Sequence, residues 1–218
     1  MIYDEETAVR VSDFLLQIKA IKLNNTNPFT WASGLRSPIY CDNRLTLSYP
    51  KVRTYMRQQF VKAIQEVYGD VDAIVGVATG GIAQGALIAQ ELGLPFAYVR
   101  STSKGHGLEN MIEGVVEPGQ SVVVVEDLIS TGGSSLKAVK ALREAKCNVK
   151  GMVAIFTYQL PAATESFEKE KCKLVTLADY ETMIGRALEN NYIQDSDFES
   201  LSVWRNDPKK WGAQFNDA

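Results

Sequence analysis

Short apolar runs rich in β-branched residues punctuate the middle of the chain at residues 72–77, 95–99, 121–125 and 151–156, and a further run follows at 172–177. Their length and their lack of polar alternation predict strands buried on both faces. Between them the pattern lengthens to a helical period. Residues 82–92 follow the first run, and residues 134–145 follow the third with Leu136, Val139 and Leu142 spaced three apart. Strand alternating with helix predicts an α/β fold built on a parallel sheet with helices on both faces.

The first third of the chain reads differently. Helical patterns at residues 5–18 and 51–68 flank a polar stretch at residues 24–44, which predicts a small N-terminal hood capping the sheet. Beyond residue 180 acidic and aromatic residues occur without strand signals, so short helices are expected there. The expected organisation is residues 1–68 as hood, 69–180 as the α/β core and 181–218 as a tail packing on that core.

Composition narrows the function classes. With 218 residues and 45% hydrophobic content, the chain can bury one sizeable core. A formal net charge of −3 from mixed acids and bases lacks the cationic excess needed to grip nucleic acid. Residues 1–11 are charged where a secretory leader would be apolar, and no run is long enough to span a bilayer, so a cytoplasmic protein without membrane partners is expected. Cys41, Cys147 and Cys172 are odd in number and scattered, which predicts free thiols. His106 is the lone histidine, so no site can use two imidazoles.

The segment richest in chemistry is Val122-Val-Val-Val-Glu-Asp-Leu-Ile-Ser-Thr-Gly-Gly-Ser-Ser135. It reads as a buried strand ending in Glu126 and Asp127, then a loop of small residues, then a helix. Ligands of open parallel sheets collect beyond the carboxyl ends of the strands. Two adjacent acids there can accept hydrogen bonds from neighbouring sugar hydroxyls. Ser130, Thr131, Gly132, Gly133 and Ser134 offer hydroxyls and unobstructed amides at a helix N-terminus, where an anion is favoured. The plainer reading is an ordinary strand end with Ser130 or Thr131 as helix N-cap.

This segment resembles the motif that binds 5-phosphoribosyl-1-pyrophosphate (PRPP) in type I phosphoribosyltransferases. The resemblance implies that fold, with Glu126 and Asp127 on the ribose 2- and 3-hydroxyls and Ser130 to Ser134 around the 5-phosphate. A second strand-to-helix turn, Ala78-Thr-Gly-Gly-Ile82, is similar to the family's pyrophosphate loop and brings in Thr79 and Gly80, although a tight turn explains two glycines equally well.

Residues 100–114 are polar and glycine-rich, with Arg100, Lys104 and His106 as cationic candidates. Taken alone they suit a solvated hairpin loop. The spacing Arg-x-x-x-Lys-x-His-Gly, however, resembles the catalytic loop of orotate phosphoribosyltransferases. That likeness implies a lid whose Lys104 and His106, with Arg100, stabilise the leaving pyrophosphate, and a homodimer in which the lid reaches the neighbouring site. Asp127 joins them as a catalytic candidate.

The stretch Phe29-Thr-Trp-Ala-Ser-Gly-Leu-Arg-Ser-Pro-Ile-Tyr-Cys-Asp-Asn-Arg44 is similar to the N-terminal lobe of the orotate enzymes, although Ser-Gly and Ser-Pro also mark turns. Tyr40 and Arg44 are its base-side candidates. Arg44 offers a bidentate fork to the orotate carboxylate, and Arg36 reads as a surface residue.

The chain departs from many members of the family, which have lysine at Ala32, near Gly80 and at Ser101; a subset has arginine where Tyr158 stands. The resemblance further implies Mg2+ carried mainly by PRPP, without a firmly assigned protein ligand. Two rival readings are compatible with the sequence: transfer to another base, and a regulator that senses PRPP without catalysis.

Overall fold

The computed structural model describes residues 1–31, 34–100 and 111–215. Helix α1 (Glu5–Gln17) opens the chain, capped by the Asp4 carboxylate, which accepts from the Thr7 amide at 2.8 Å. Four short strands follow: β1 (Ile21–Leu23), β2 (Phe29–Thr30), β3 (Arg36–Ser37) and β4 (Ile39–Cys41). They pair antiparallel as β1 with β4 and β2 with β3. A 3-10 turn (Asn43–Ser48) leads into α2 (Pro50–Tyr68), which starts at a proline whose missing N–H costs a helix nothing in its first turn.

The core then runs β5 (Ala73–Val77), α3 (Gly80–Leu92), β6 (Phe96–Val99), β7 (Ile112–Glu113), β8 (Ser121–Ile129), α4 (Gly133–Glu144), β9 (Asn148–Thr157), α5 (Pro161–Lys169) and β10 (Leu174–Asp179). Three helices close the described chain: α6 (Tyr180–Glu189), α7 (Asp195–Asn206) and α8 (Pro208–Ala213). The tail is thus helical, as its sequence predicts.

Among the described residues the central sheet has six strands in the order β10-β9-β8-β5-β6-β7. All neighbours are parallel except β7, which returns antiparallel along β6. Leaving that edge aside, the first strand of the core lies between the second and the third. The chain therefore reverses direction across the sheet at the β5–β8 pair, and a crevice opens where connections leave in opposite directions. The loops after β5 and β8 are the two that carry the glycine turns.

Side-chain alternation along β8 divides the interior into two cores. Val123 and Val125 pack with α1, α2, α3 and the tail, whereas Val122 and Val124 pack with α4 and α5. Leu136, Val139 and Leu142 of α4 are all buried in the second core, as their spacing predicts. Each such side chain contributes roughly 1.5–3 kcal/mol through removal of apolar surface from water. The three cysteines are free thiols.

One boundary departs from the sequence reading in a way that matters. Strand β8 does not stop at the acids but runs to Ile129, because Leu128 and Ile129 remain paired with Phe156 and Thr157 of β9. On its other side β5 pairs only as far as Val125. The acids therefore lie inside one ladder and just past the end of the other.

Candidate active site

The alternation that sorts the valines also aims the acids. Glu126 continues the row of Val122 and Val124 toward α4, where its Oε2 accepts from the Ser135 hydroxyl at 2.9 Å. Its Oε1 accepts from the Asp127 amide at 2.9 Å. Asp127 continues the row of Val123 and Val125 toward α3, and its carboxyl lies so close to Gly80 that a Cβ there would overlap it. Burial, followed by the neighbouring Asp127 charge, pushes the Glu126 carboxyl well above its ordinary pKa. Glu126 is thus a guarded, hydrogen-bonded acid, and Asp127 is the more open of the pair.

The turn between β5 and α3 meets β8 from the side. A Cβ on Gly81 would strike the Val125 carbonyl, so the glycine pair lets the N-terminus of α3 sit directly against the acidic strand. Helix α3 begins at Gly80, two residues earlier than its apolar pattern predicts, with Thr79 as an exposed N-cap that makes no side-chain cap bond. The Ala78–Thr79 peptide is cis.

After β8 the chain turns through Ser130 and Thr131 into α4. The plainer reading, with Ser130 or Thr131 as helix cap, does not hold: Gly132 is the N-cap, at φ 80° in the left-handed region, and no side chain caps the helix. A hydroxyl residue at that position would be strained by its Cβ. Thr131, Gly133 and Ser134 are exposed, so uncapped amides and free hydroxyls surround the positive end of the α4 dipole. The Ser135 hydroxyl, in the first turn of α4, ties this helix end to Glu126.

The hood is bolted to this edge by Asn43, which is 1% exposed and donates through Nδ2 to the Asp127 carbonyl at 2.6 Å. Its own carbonyl accepts from the buried Thr46 hydroxyl at 2.6 Å. Tyr40, 40% exposed, leans on Phe29 with ring centroids 5.7 Å apart. Arg44 is not a free fork. Its Nε and Nη2 meet Asp42 Oδ1 and Oδ2 at 2.7 and 3.0 Å, the first cause of a raised guanidinium pKa, to which Asp127 and Tyr40 add smaller effects. Tyr158 is buried at 2% exposure among Trp31, Phe156 and Trp204, and burial pushes its phenol well above its ordinary value.

An acidic pair and two glycine turns at helix N-termini thus come together at the switch point, with Asn43 of the N-terminal segment bonded to the same strand. Comparison with known proteins agrees with that geometry. Residues 51–184 match the family described as Phosphoribosyl transferase domain. The chain is 59% identical over 199 residues to the orotate phosphoribosyltransferase of Phocaeicola vulgatus, covering 91% of this chain and 94% of that one. The chain belongs to the orotate phosphoribosyltransferase family.

A second member, from Porphyromonas gingivalis, is 56% identical over 202 residues, or 93% of this chain and 96% of its own. The crystal structure of orotate phosphoribosyltransferase from Aeropyrum pernix superposes with a TM-score of 0.73 at 27% identity, covering 84% of this chain and 99% of that one. The fold is therefore that of the family, as the resemblance of the 122–135 segment implies, and its parallel sheet is the one the alternating strands and helices predict.

Of the expected site residues, Glu126, Asp127, Ser130 to Ser134, Thr79 and Gly80 converge on the β5–β8 crevice. Arg100 stands at the end of β6, where its amide donates to the Met111 carbonyl at 2.9 Å and its guanidinium pairs with Glu113 at 3.4 Å. Lys104 and His106, together with Ala32 and Ser101, lie outside the described residues. Sequence reasoning missed Asn43 and Ser135, although Ser135 directly follows the loop it singled out. Both hold the acids from neighbouring elements, and only an isolated small polar residue beside each motif hints at it.

Proposed function

We propose that the protein transfers the 5-phosphoribosyl group of PRPP to orotate, giving orotidine 5'-monophosphate and pyrophosphate in pyrimidine nucleotide synthesis. The observation that carries the reading is the convergence, at one switch point, of the Glu126–Asp127 pair with the uncapped N-terminus of α4 and the Gly80 turn. The acids suit the two ribose hydroxyls, the amides from Thr131 to Ser135 suit the 5-phosphate, and the turn at Thr79 and Gly80 suits the diphosphate. Family membership supports orotate as the acceptor.

In this reading the N1 nitrogen of orotate bonds to the anomeric carbon as the bond from that carbon to pyrophosphate oxygen breaks, and the N1 proton is released. Positive charge grows on the ribose, beside Asp127, while negative charge grows on the departing diphosphate. Arg100, Lys104 and His106 serve that leaving group, and closure over the site excludes water that would hydrolyse PRPP. A homodimer in the cytoplasm, with the Lys104 segment serving the neighbouring subunit's site, completes the proposal.

Mg2+ is the cofactor of this reading. Among the described residues no three His, Cys, Asp or Glu side chains gather into a metal site, and Glu126 is already engaged by Ser135. That donor set fits a hydrated cation carried by the substrate, with Asp127 the carboxylate best placed to meet its waters or the hydroxyls beside it. When bound, the ion would neutralise charge on the diphosphate.

The test is to mix the protein with PRPP, Mg2+ and orotate and follow loss of orotate absorbance, with adenine, hypoxanthine and uracil in parallel. Selective consumption of orotate supports the proposal. Use of another base, or PRPP binding without turnover of any, overturns it.

A further inference from the structure

A cleft of about 770 Å³ lies between the hood and the tail, within the range of small-molecule sites. Its lining includes Ser130 and Thr131 of the loop after β8, Trp31 and Arg36 of the N-terminal segment, and Lys209 of α8. The space is therefore continuous with the proposed phosphate loop, and two cations face it. Among the described residues neither Arg36 nor Lys209 has an acidic partner. Asp207 is the acid of the lining, but its Oδ1 accepts from the Lys210 amide at 3.0 Å as the cap of α8.

Arg36 is held through both its backbone and its side chain. Its backbone pairs with Thr30 across the β2–β3 ladder, and its Nη1 donates to the Thr30 hydroxyl at 2.9 Å. From behind, α8 rests on it: a Cβ on Gly212 would come within 3.3 Å of both the Arg36 Cβ and its carbonyl oxygen. Trp204 of α7, fully buried, packs edge-on against Trp31 at 5.7 Å and fixes the same hairpin. Arg44, by contrast, gives the Nε–Nη2 edge of its guanidinium to Asp42, so a ligand carboxylate meeting that edge would have to displace a bidentate partner.

We propose that Arg36, assisted by Lys209, is the cation that recognises the carboxylate of the acceptor base, and that the C-terminal helices exist in part to complete this cleft. The assignment rests on the reaction proposed above and deepens it by naming the specificity residue. An arginine that lines the cleft with one N–H tethered to Thr30 keeps its remaining N–H groups for a planar carboxylate and loses less freedom on binding it. Lys209 adds a second positive charge from an element far away in sequence.

The experiment measures initial rates against orotate and against PRPP for the full chain and for Arg36→Gln, Lys209→Gln, Arg36→Lys and Arg44→Gln. Inhibition by uracil, which lacks the carboxylate, is measured in each. Arg36→Gln is expected to raise KM for orotate by about tenfold or more, the size expected for one lost charge-assisted hydrogen bond, and to change KM for PRPP much less. Uracil inhibition should stay near its wild-type value, Lys209→Gln should show a smaller loss, and Arg36→Lys should recover part of the affinity.

An unchanged KM for orotate in Arg36→Gln, equal losses for both substrates, or the full carboxylate effect appearing in Arg44→Gln would overturn the assignment. Absence of orotate turnover in the wild-type protein would overturn the proposed function itself. Wild-type turnover with a silent Arg36→Gln would overturn this assignment alone.

Discussion

Gly80→Ala separates what the crevice needs for function from what it needs for folding. Gly80 opens α3 at a position where helical geometry suits alanine, and exchanging glycine for alanine favours a helix by up to about 1 kcal/mol. The added Cβ would overlap the Asp127 carboxyl, which must swing to another rotamer. Asp127 is only half-buried, so that swing costs on the order of 0.5–1.5 kcal/mol. The two effects nearly cancel, and unfolding free energy should change by less than about 1 kcal/mol. Function should not survive as well, because moving a substrate-contacting group by about 1 Å is worth roughly a hundredfold in rate. Denaturant unfolding and initial rates at limiting PRPP, measured on the same preparation, test both halves. A Gly80→Ala protein of wild-type stability that retains wild-type kcat/KM for PRPP would refute the claim that the glycine turn exists to seat Asp127.

Glu126→Gln should alter the pH dependence of stability. The native carboxyl is raised above its ordinary value, so the native state holds the proton more tightly than the unfolded chain; this stabilisation is complete below the unfolded value and is lost as pH rises through the elevated native one. The variant lacks that loss, so its unfolding free energy relative to wild type should increase from pH 4 to pH 9; parallel curves would contradict the burial argument. Trp204→Ala removes a side chain with 0% exposure and should cost about 3–5 kcal/mol in denaturant unfolding, with a cost below about 1 kcal/mol counting against the tail as part of the core. Asp127→Asn should weaken use of PRPP with little change in melting temperature, and wild-type PRPP affinity would count against its ribose role. Lys104→Ala should lower kcat by about a hundredfold or more, the scale for one well-placed electrostatic stabiliser, and unchanged turnover would remove Lys104 from the chemistry.

Much of this arrangement is legible in the chain because two local signals coincide. Runs of β-branched residues mark the strands, and the small-residue turns after β5 and β8 mark where they deliver the chain to the sheet edge. The apolar run at β8 gives way to Glu126 and Asp127, so the pattern ends the strand at the acids, although pairing with β9 carries it two residues further, through Leu128 to Ile129. A hydroxyl residue before a helix reads as a cap by local chemistry, but the backbone at Gly132 takes that place through its left-handed turn.

What the sequence hides is long-range. Asn43 acts across 84 positions on the Asp127 carbonyl, and Asp42, two residues from Arg44, takes the guanidinium that looked open to a ligand. Trp204 and Gly212 sit in a tail without a strand pattern or motif, and their value appears only when Trp31 and Arg36 come to rest against them. Short helices carry little periodicity, so nothing local reveals that this tail braces the hood.

The most direct measurement is a crystal structure of the protein with orotidine 5'-monophosphate bound. The account predicts the ribose hydroxyls on Glu126 and Asp127, the 5-phosphate on the amides between Thr131 and Ser135, and the base turned toward the hood. A nucleotide seated away from the β5–β8 crevice, or one whose phosphate lies anywhere other than the N-terminus of α4, would contradict it.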